Sequence, residues 1–441
     1  MAMVVKNNMS AVNTLNTLNK NSNALSKSLQ KVSSGMRINS AADDASGYAI
    51  SERMRVQIRS LDQDNKNTQN GNSMMKVAEG AVSSTVEILK TLKEKVINAA
   101  NDTNTDADRQ TIQKELDQSI DQIDDNANVT YNGKYLVDGS HNSKTTATTT
   151  SLTNQSLSTD TVANSAITAL KNRSGESLYI GSTDQVTVSY VKQGQTYSTT
   201  FAVGSLSFSA ILQKTAYNGT STIAGALTFN STGKTDVIGK DGSGNTVYTA
   251  DRGCAITLQS KTAGLDGQIA GFTISITDNT GKINKNANAV LDNFNESIRA
   301  QNASADNSLV LQTGTKANQA IKVSMTDMRS VALGLKGTDG TTLNVSTQTK
   351  ANAAITVLDN ALQKALDQQT TIGSIESRLE YTSSNLTTAS ENVRASESTI
   401  RDADMAQEMT EYTKNNVLLQ AAQSMLAQAN QNSSSVLSLL Q

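Results

Sequence analysis

Residues Ala351–Gln441 decide the fold, and the first part of this stretch, 351–401, reads ANAAITVLDNALQKALDQQTTIGSIESRLEYTSSNLTTASENVRASESTIR. Apolar side chains return at every seventh position: Leu358, Ala365, Ile372, Leu379, Leu386, Val393 and Ile400. A seven-residue repeat is typical of the seam of a left-handed coiled coil. The opposite face carries charged residues, namely Asp359, Lys364, Asp367, Arg378, Glu380 and Glu391. One face therefore meets water, and the other requires a partner helix.

The second part of this stretch is predicted to continue as helix, because neither glycine nor proline follows Gly373 in the sequence. Its apolar positions include Met409, Leu419, Met425, Leu426, Val436 and Leu440. A helix this apolar is expected to be covered by another protein surface.

The first 35 residues carry a second helical stripe. Its members recur at spacings of three, four and seven: Val5, Met9, Val12, Leu15, Leu18, Leu25 and Leu29. Many of the remaining residues are Asn, Ser or Thr, which are poor helix formers. Burial against a partner is needed to order such a segment, so we expect the chain ends to fold on assembly.

The sequence between residues 54 and 135 predicts two further helices. Helical spacing of apolar residues runs through 54–99 and again through 112–127, with Thr105 or Asp108 as the cap of the later helix. Tyr131–Lys134, which reads YNGK, then predicts a hairpin turn.

The connector 34–54, SGMRINSAADDASGYAISERM, contains two adjacent carboxylates, Asp43 and Asp44. Adjacent residues do not face each other on a helix or a strand. We therefore assign them to capping or to ion pairs with Arg37 and Arg53, and not to catalysis.

The middle of the chain changes character. Residues 139–161 are almost wholly Ser, Thr, Asn and Asp, which indicates a domain boundary. The Ser/Thr cluster at 145–151 is either a flexible solvated linker or a site for surface glycans. Alternating apolar residues then predict a mostly β insertion over 162–305, with short helices near Ala166 and at 290–298. A hairpin at 309–323 returns the chain to the helical part.

The fold class that follows is α+β: a long coiled coil or bundle made by both chain ends, with a mostly β outer domain inserted between them. We expect five segments: a terminal helix, 1–40; the first part of a helical core, 41–142; the outer insertion, 143–305; the second part of the core, 306–400; and a second terminal helix, 401–441.

Composition excludes several classes of function. A net charge of −2 and an isoelectric point near 5.7 argue against nucleic-acid binding, and no apolar run is long enough to insert in a membrane. His141 is the only histidine and Cys254 the only cysteine, so histidine-based metal sites and nucleophile triads are not expected. We predict no cofactor, no metal and no enzymatic activity.

The two apolar ends point instead to self-association. Together their stripes exceed the apolar surface that monomers usually expose. Because each copy would offer unlike surfaces to the next, the contacts are heterologous, and heterologous contacts that do not close produce helical filaments.

Several stretches resemble bacterial flagellin, the subunit of the flagellar filament. They are VVKNNMSAVNTLN, SSGMRINSAADDASGYAISERM, VAEGAVSSTVEILKTLKEKVINAANDTNTDADRQTIQKELDQ with the later YNGKYL, and SRLEYTSSNLTTASENVRASESTIRDADMAQEMTEYTKNNVLLQAAQSMLAQANQNSSSVLSLL. The resemblance covers roughly residues 1–140 and 309–441.

This resemblance implies a filament core built by the chain ends and an outward, variable middle. It also implies secretion without a cleaved signal, extracellular assembly for motility, and four partners: further copies of the chain, an export chaperone, a cap and hook-junction proteins. A flagellar hook-associated or junction protein is the alternative. An enzyme displayed in the insertion is disfavoured, because 145–305 contains no histidine and no HExxH motif.

The resemblance extends to a surface that a flagellin-sensing toll-like receptor recognises, which here contains Lys90, Thr91, Lys95 and Glu115. Receptor-sensed flagellins carry Arg where Thr91 stands and Leu where Lys95 stands, whereas Glu115 matches their acidic residue. Because threonine lacks the planar donors of a guanidinium, we expect weakened receptor signalling. The family also often has a proline near the last turn and a terminal Arg, which are absent here.

Overall fold

A computed structural model describes residues 8–217, 221–222, 227–231, 236–249 and 253–439. The chain forms two compact units. The first, which we call the terminal unit, comprises Met1–Thr68, Gln312–Gln319 and Tyr381–Gln441. The second, the central unit, comprises Gln69–Leu311 and Ala320–Glu380.

Long helices come from both chain ends, as the periodicity predicts. In chain order the helices are α1 Met9–Ser34, α2 Ala45–Ala99, α3 Asp106–Ala127, α4 Phe208–Lys214, α5 Lys285–Leu291, α6 Ser330–Leu333, α7 Gln348–Arg401 and α8 Met405–Leu439.

The strands lie between α3 and α7. They are β1 Thr130–Tyr131, β2 Lys134–Tyr135, β3 Ser151–Asn154, β4 Gln185–Lys192, β5 Gln195–Ala202, β6 Ala216–Tyr217, β7 Ser221–Thr222, β8 Leu227–Ser231, β9 Val237–Lys240, β10 Thr246–Tyr248, β11 Ile256–Ser260, β12 Ile269–Thr277, β13 Phe294–Ile298, β14 Leu309–Gln312 and β15 Ala320–Val323. Two larger sheets have the orders β13-β3-β11-β8 and β12-β4-β5, and β14 pairs with β15 in the predicted hairpin.

The predicted turns and caps are confirmed in detail. Thr105 accepts a hydrogen bond from the Asp108 amide, and the Asp108 carboxylate accepts one from the Thr105 amide, which forms a capping box on α3. Asp44 caps α2 by accepting from the amides of Ser46 and Gly47. Hydrogen bonds from Ser40, the strongest from its amide, lower the pKa of Asp43 from its ordinary value, which fits a capping role.

In the central unit the buried face of α7 packs on α2 and α3. Its seam residues Leu358, Ala365, Ile372 and Leu379 are fully buried, and share one core with Met75, Leu89, Leu116 and Ile120. The predicted water-facing side of α7 is wrong at one position, because Lys364 as a whole residue is only 6% exposed. Glu296 and the Ala332 carbonyl, both distant in sequence, contact its ammonium.

The insertion has its own apolar core, in which Tyr190, Phe208, Phe272 and Phe294 are fully buried. The flexible linker predicted over 145–151 is wrong in part, because Thr148 and Thr150 are buried and Ser151 begins β3, a buried strand between β13 and β11. Its polar side chains have partners: the Thr153 and Thr257 hydroxyls lie 3.2 Å apart, and the Asn154 amide donates to the Val290 carbonyl.

The helix predicted over 290–298 is also wrong over most of its length. Helix α5 ends at Leu291, and Phe294–Ile298 is the edge strand β13. Phe294 and Ile298 are buried at the ends of this strand, whereas the residues between them are less buried.

In the terminal unit the first part of α2 packs along the last part of α7. Arg55 pairs with Glu397 at 3.1 Å, and Arg394 pairs with Asp62 at 2.6 Å. Arg401 is buried, pairs with Glu52, and lies 5.3 Å from the Tyr48 ring centroid. The helix pair predicted from the seam therefore extends into this unit, where Val393 and Ile400 are half-buried.

The long carboxyl-terminal helix is interrupted at 402–404, although the sequence has neither glycine nor proline there. Backbone pairing with the α1–α2 connector accounts for the break: the Arg37 amide donates to the Arg401 carbonyl, and the Ala403 amide donates to the Gly35 carbonyl. Asp404 then caps α8 by accepting from the Ala406 amide at 2.9 Å.

Candidate functional site

Helices α1 and α8 lie against each other in antiparallel fashion, and we call them the terminal pair. The contacts run in opposite directions along the two helices. Asn8 donates to the Ala429 carbonyl at 3.2 Å, Asn21 donates to the Leu418 carbonyl at 3.2 Å, and Lys31 pairs with Glu408 at 3.2 Å. Each end of the chain is therefore the other end's partner.

The asparagines that lower the helix propensity of α1 contribute to this pairing. Besides Asn8 and Asn21, which bond to α8, Asn415 of α8 donates to the Ser28 hydroxyl at 3.0 Å. Asn8 also caps α1 by accepting from the Ala11 amide. Polar side chains thus specify the register of the terminal pair.

Only part of the predicted apolar stripes is used in this pair. Leu18, Leu25, Leu419 and Leu426 are half-buried, and Ala422 is buried. Nine other apolar side chains of the two helices are at least 40% exposed, and we call them the exposed apolar set: Met9, Val12, Leu15 and Leu29 on α1, and Met405, Met409, Val417, Leu418 and Met425 on α8.

A shallow groove crosses the surface of α8 within this set. It is lined by Met409, Thr410, Thr413, Lys414, Val417 and Leu418. Most of its surface is apolar, with one cation at its edge. Such a groove accepts an apolar side chain more readily than a polar ligand.

Of the predicted assembly residues, Met9, Val12, Leu15, Leu29, Met409 and Met425 are exposed, and the four leucines named above lie in the pair. Val5 and Leu440 lie outside the described residues, and for Val436 only its place in α8 is described. Sequence reasoning did not single out Val417 and Leu418. Val417 follows Met409 by eight residues and Leu418 follows Thr410 by eight, so both lie in rows spaced four residues apart on one side of the helix, and this spacing could have identified them.

The predicted receptor-facing residues lie on α2 and α3. Lys95 pairs with Glu115 at 3.1 Å, and Lys90 pairs with Glu87 at 2.8 Å. The Thr91 hydroxyl donates to the Glu87 carbonyl. These side chains lie at the surface, where such pairs contribute little to stability.

Within the described ranges no cluster of His, Cys, Asp or Glu is arranged to hold a metal ion. None of the helices in the part of the chain that the structure describes is long and apolar enough to cross a bilayer. The terminal pair and its exposed apolar set are therefore the candidate functional site.

Comparison with known proteins matches both chain ends to one family. Residues 5–142 match the bacterial flagellin N-terminal helical region, and residues 355–440 match the bacterial flagellin C-terminal helical region. The chain is 36% identical to a flagellin of Clostridium tyrobutyricum over 97% of this chain and 99% of that one. It is 30% identical to a flagellin of Bacillus subtilis over 99% of this chain and all of that one.

Comparison with solved structures matches the flagellar junction protein FlgL of Legionella pneumophila. That structure has a TM-score of 0.30 and 17% identity, and the match covers 75% of this chain and 99% of that one. FliC of Burkholderia pseudomallei has a TM-score of 0.25 and 20% identity, over 70% of this chain and 99% of that one.

The fold and the two matched regions define a structural protein whose terminal helices pair with each other and whose β-rich insertion lies between them in the sequence. The chain belongs to the flagellin family.

Proposed function

We propose that the chain is a structural subunit that polymerises into the bacterial flagellar filament, an extracellular appendage that serves motility. One observation supports this most strongly: the chain ends pair with each other and still leave the exposed apolar set in water. Burying the remaining surface of these side chains contributes about 1 kcal/mol each. A neighbouring copy is the surface that supplies this burial.

The two faces of the terminal pair suit a filament better than a closed dimer. Helix α1 offers Met9, Val12 and Leu15, whereas α8 offers a different set around Val417 and Leu418. Contacts between unlike surfaces are heterologous, and repeated copies then extend as a helix. In this proposal Leu18, Leu25, Leu419 and Leu426 hold the pair, and Val5, Val436 and Leu440 extend the contact surface.

The same proposal assigns roles to the segments of the chain. Residues 1–40 and 401–441 form the inner core, 41–142 and 306–400 the surrounding helical core, and 143–305 the outer domain. Before assembly an export chaperone covers the apolar ends and the subunit is secreted, and cap and hook-junction proteins contact the two ends of the polymer.

A hook-associated or junction protein is the second candidate, because such a protein also needs paired terminal helices. Electron microscopy of the purified chain separates the two functions. A filament subunit grows long polymers, whereas a junction protein, which is present in few copies, does not.

Substitution within the groove tests the assembly surface. We expect Met409→Gln and Val417→Gln together to raise the critical concentration for polymerisation by roughly thirtyfold, because each loses about 1 kcal/mol of apolar burial. Light scattering against subunit concentration measures this change.

Ile283→Gln is the matched control, since Ile283 is 58% exposed but lies in the insertion, between α5 and β12. Its critical concentration should stay at the parent value. Equal values for the groove variant and the control would contradict the assignment of the groove to assembly.

We further propose weakened recognition by a flagellin-sensing toll-like receptor. Lys95 is engaged with Glu115, and Thr91 with its own helix backbone. Thr91→Arg combined with Lys95→Leu should raise potency by about tenfold or more, because it supplies a guanidinium and an apolar anchor.

A receptor-reporter dose–response measures this potency. Lys322→Arg is the control, because Lys322 is an exposed cation outside the receptor-facing residues and its exchange supplies neither missing group at positions 91 and 95. Unchanged potency of the double variant would refute the proposal.

A further inference from the structure

A cavity of about 310 Å³ lies in the central unit, beside α7. Two segments that enter and leave the insertion form one wall, held by a bridge between Thr145 and Ser304. The segment 324–332 forms another wall, and Lys364 of α7 also lines the cavity. Its volume is at the lower end of the range for small-molecule sites.

The lining is cationic. Arg299, Arg329 and Lys364 all contribute to it, and Asp327 is the one carboxylate among the lining residues that the structure describes. Arg329 is held by Asp327 through two carboxylate oxygens, with distances from 2.6 to 3.1 Å. This leaves Arg299 and Lys364 without a compensating charge in the lining itself.

The acidic partners of those two cations lie outside the lining. Arg299 contacts Asp367 at 2.5 Å and Glu296 at 3.6 Å, and Lys364 lies 3.5 Å from Glu296. The cavity is therefore lined by two cations, Arg299 and Lys364, whose positions are fixed by carboxylates outside the lining. Cations held in a fixed orientation bind an anion through charge-assisted hydrogen bonds.

Lys364 is the deepest of these groups. Its side chain is 7% exposed, and its ammonium donates to the Ala332 carbonyl at 3.2 Å. Burial lowers the pKa of Lys364 from its ordinary value, and the nearby Glu296 offsets this only in part. An ammonium has three donors, so an added oxygen acceptor compensates part of the lost hydration.

A second buried donor lies one turn further along α7. Gln368 is 3% exposed and accepts from the Thr326 hydroxyl at 2.8 Å, and Thr326 lines the cavity. The amide nitrogen of Gln368 has no hydrogen-bond partner among the described residues. Gln368 does not itself line the cavity, and it acts on the cavity wall only through Thr326, since its carbonyl oxygen accepts from both the amide and the hydroxyl of that residue.

We propose that this cavity binds a small oxyanion, a carboxylate or a phosphate, through Arg299, Arg329 and Lys364. No aromatic side chain is among the described lining residues, so a neutral sugar has no ring on which to stack. Discrimination by charge follows, with an acidic sugar bound and its neutral counterpart excluded. This site is independent of the assembly surface on α1 and α8.

Titration calorimetry of the full-length chain tests the site with three probes: D-glucuronate, inorganic phosphate and D-glucose. We expect saturable binding of at least one anion with a Kd near or below about 1 mM, and none of glucose. Saturation by glucuronate alone identifies a carboxylate ligand, and saturation by phosphate alone identifies a phosphate. Binding should weaken as ionic strength rises.

Arg329→Gln should weaken anion binding about tenfold, because it removes charge-assisted hydrogen bonds. Lys364→Met should weaken anion binding at least as strongly. If the Lys364→Met variant does not fold, the test rests on Arg329→Gln, because the Arg329 side chain is half-exposed. Lys322→Gln is the control, since Lys322 pairs with Asp306 at the surface and does not line the cavity. Failure of both anions to saturate, or equal affinities for Arg329→Gln and Lys322→Gln, would overturn the proposal.

Discussion

At the scale of single residues, Lys364 is a charged side chain that matters for the stability of the fold and not for solubility. Its partner Glu296 is 5% exposed, and one Glu296 carboxylate oxygen has no hydrogen-bond partner among the described residues. A buried pair of this kind adds little net stability by itself. Removing one member, however, leaves the other charge buried and poorly compensated.

We therefore expect Lys364→Ala to lower the free energy of unfolding by about 3 kcal/mol. Lys322→Ala removes an exposed partner of Asp306 and should cost between about 0 and 1 kcal/mol. Urea titration followed by circular dichroism measures both values. Exchanging the pair together, Lys364→Met with Glu296→Leu, should recover most of the loss, and no recovery would contradict the assignment of the loss to the uncompensated charge of Glu296.

At the scale of elements, the connector between α1 and α2 sets where two helices end. Helix α1 ends at Gly35, which has a φ of 69°. The Gly35 carbonyl accepts a hydrogen bond from the Ala403 amide, in the break between α7 and α8. A Cβ at Gly35 would meet no atom within 4 Å, so only backbone strain opposes a side chain there.

Two glycine-to-alanine substitutions should consequently change the free energy of unfolding in opposite directions. Gly35→Ala is expected to destabilise the chain by about 1 kcal/mol, because alanine resists the left-handed conformation. Gly80→Ala, in the interior of α2 with equally open space, should stabilise it by about 0.5–1 kcal/mol. Denaturation midpoints of the two variants provide the comparison, and a stabilising Gly35→Ala would contradict the described end of α1.

The helices could be predicted from the sequence because their apolar residues repeat with a helical period, as Leu358 and Ile372 illustrate. The same holds for the β4–β5 hairpin, where the turn Gln193-Gly194 lies between alternating strands. Strand β3 could not be predicted, because Ser151 and Thr153 resemble a linker until neighbouring strands supply their hydrogen bonds.

The same limit applied to the candidate site. The stripes on α1 and α8 were visible in the sequence, but which side chains the two ends would use on each other was not. Leu25 and Leu29 have similar sequence environments, yet Leu25 is half-buried and Leu29 is 52% exposed. Pairing geometry, and not hydrophobicity, makes that distinction.

At the scale of the whole molecule, we infer that the apolar side chains of both chain ends are buried only when further copies of the chain cover them. The terminal pair buries Leu18, Leu25 and Ala422 in part or fully, but leaves the exposed apolar set uncovered. The central unit has its own two apolar cores, which do not include residues of α1 or α8. Loss of the terminal pair should therefore abolish assembly without unfolding the central unit.

The most direct test removes either end of the chain, residues 1–30 in one variant and 410–441 in another, and examines each by electron microscopy and sedimentation. Circular dichroism melting of the same samples reports whether the central unit is folded. We predict a folded chain that forms no filaments in either variant, while the full-length chain polymerises. Filaments of normal length from either shortened chain would contradict it.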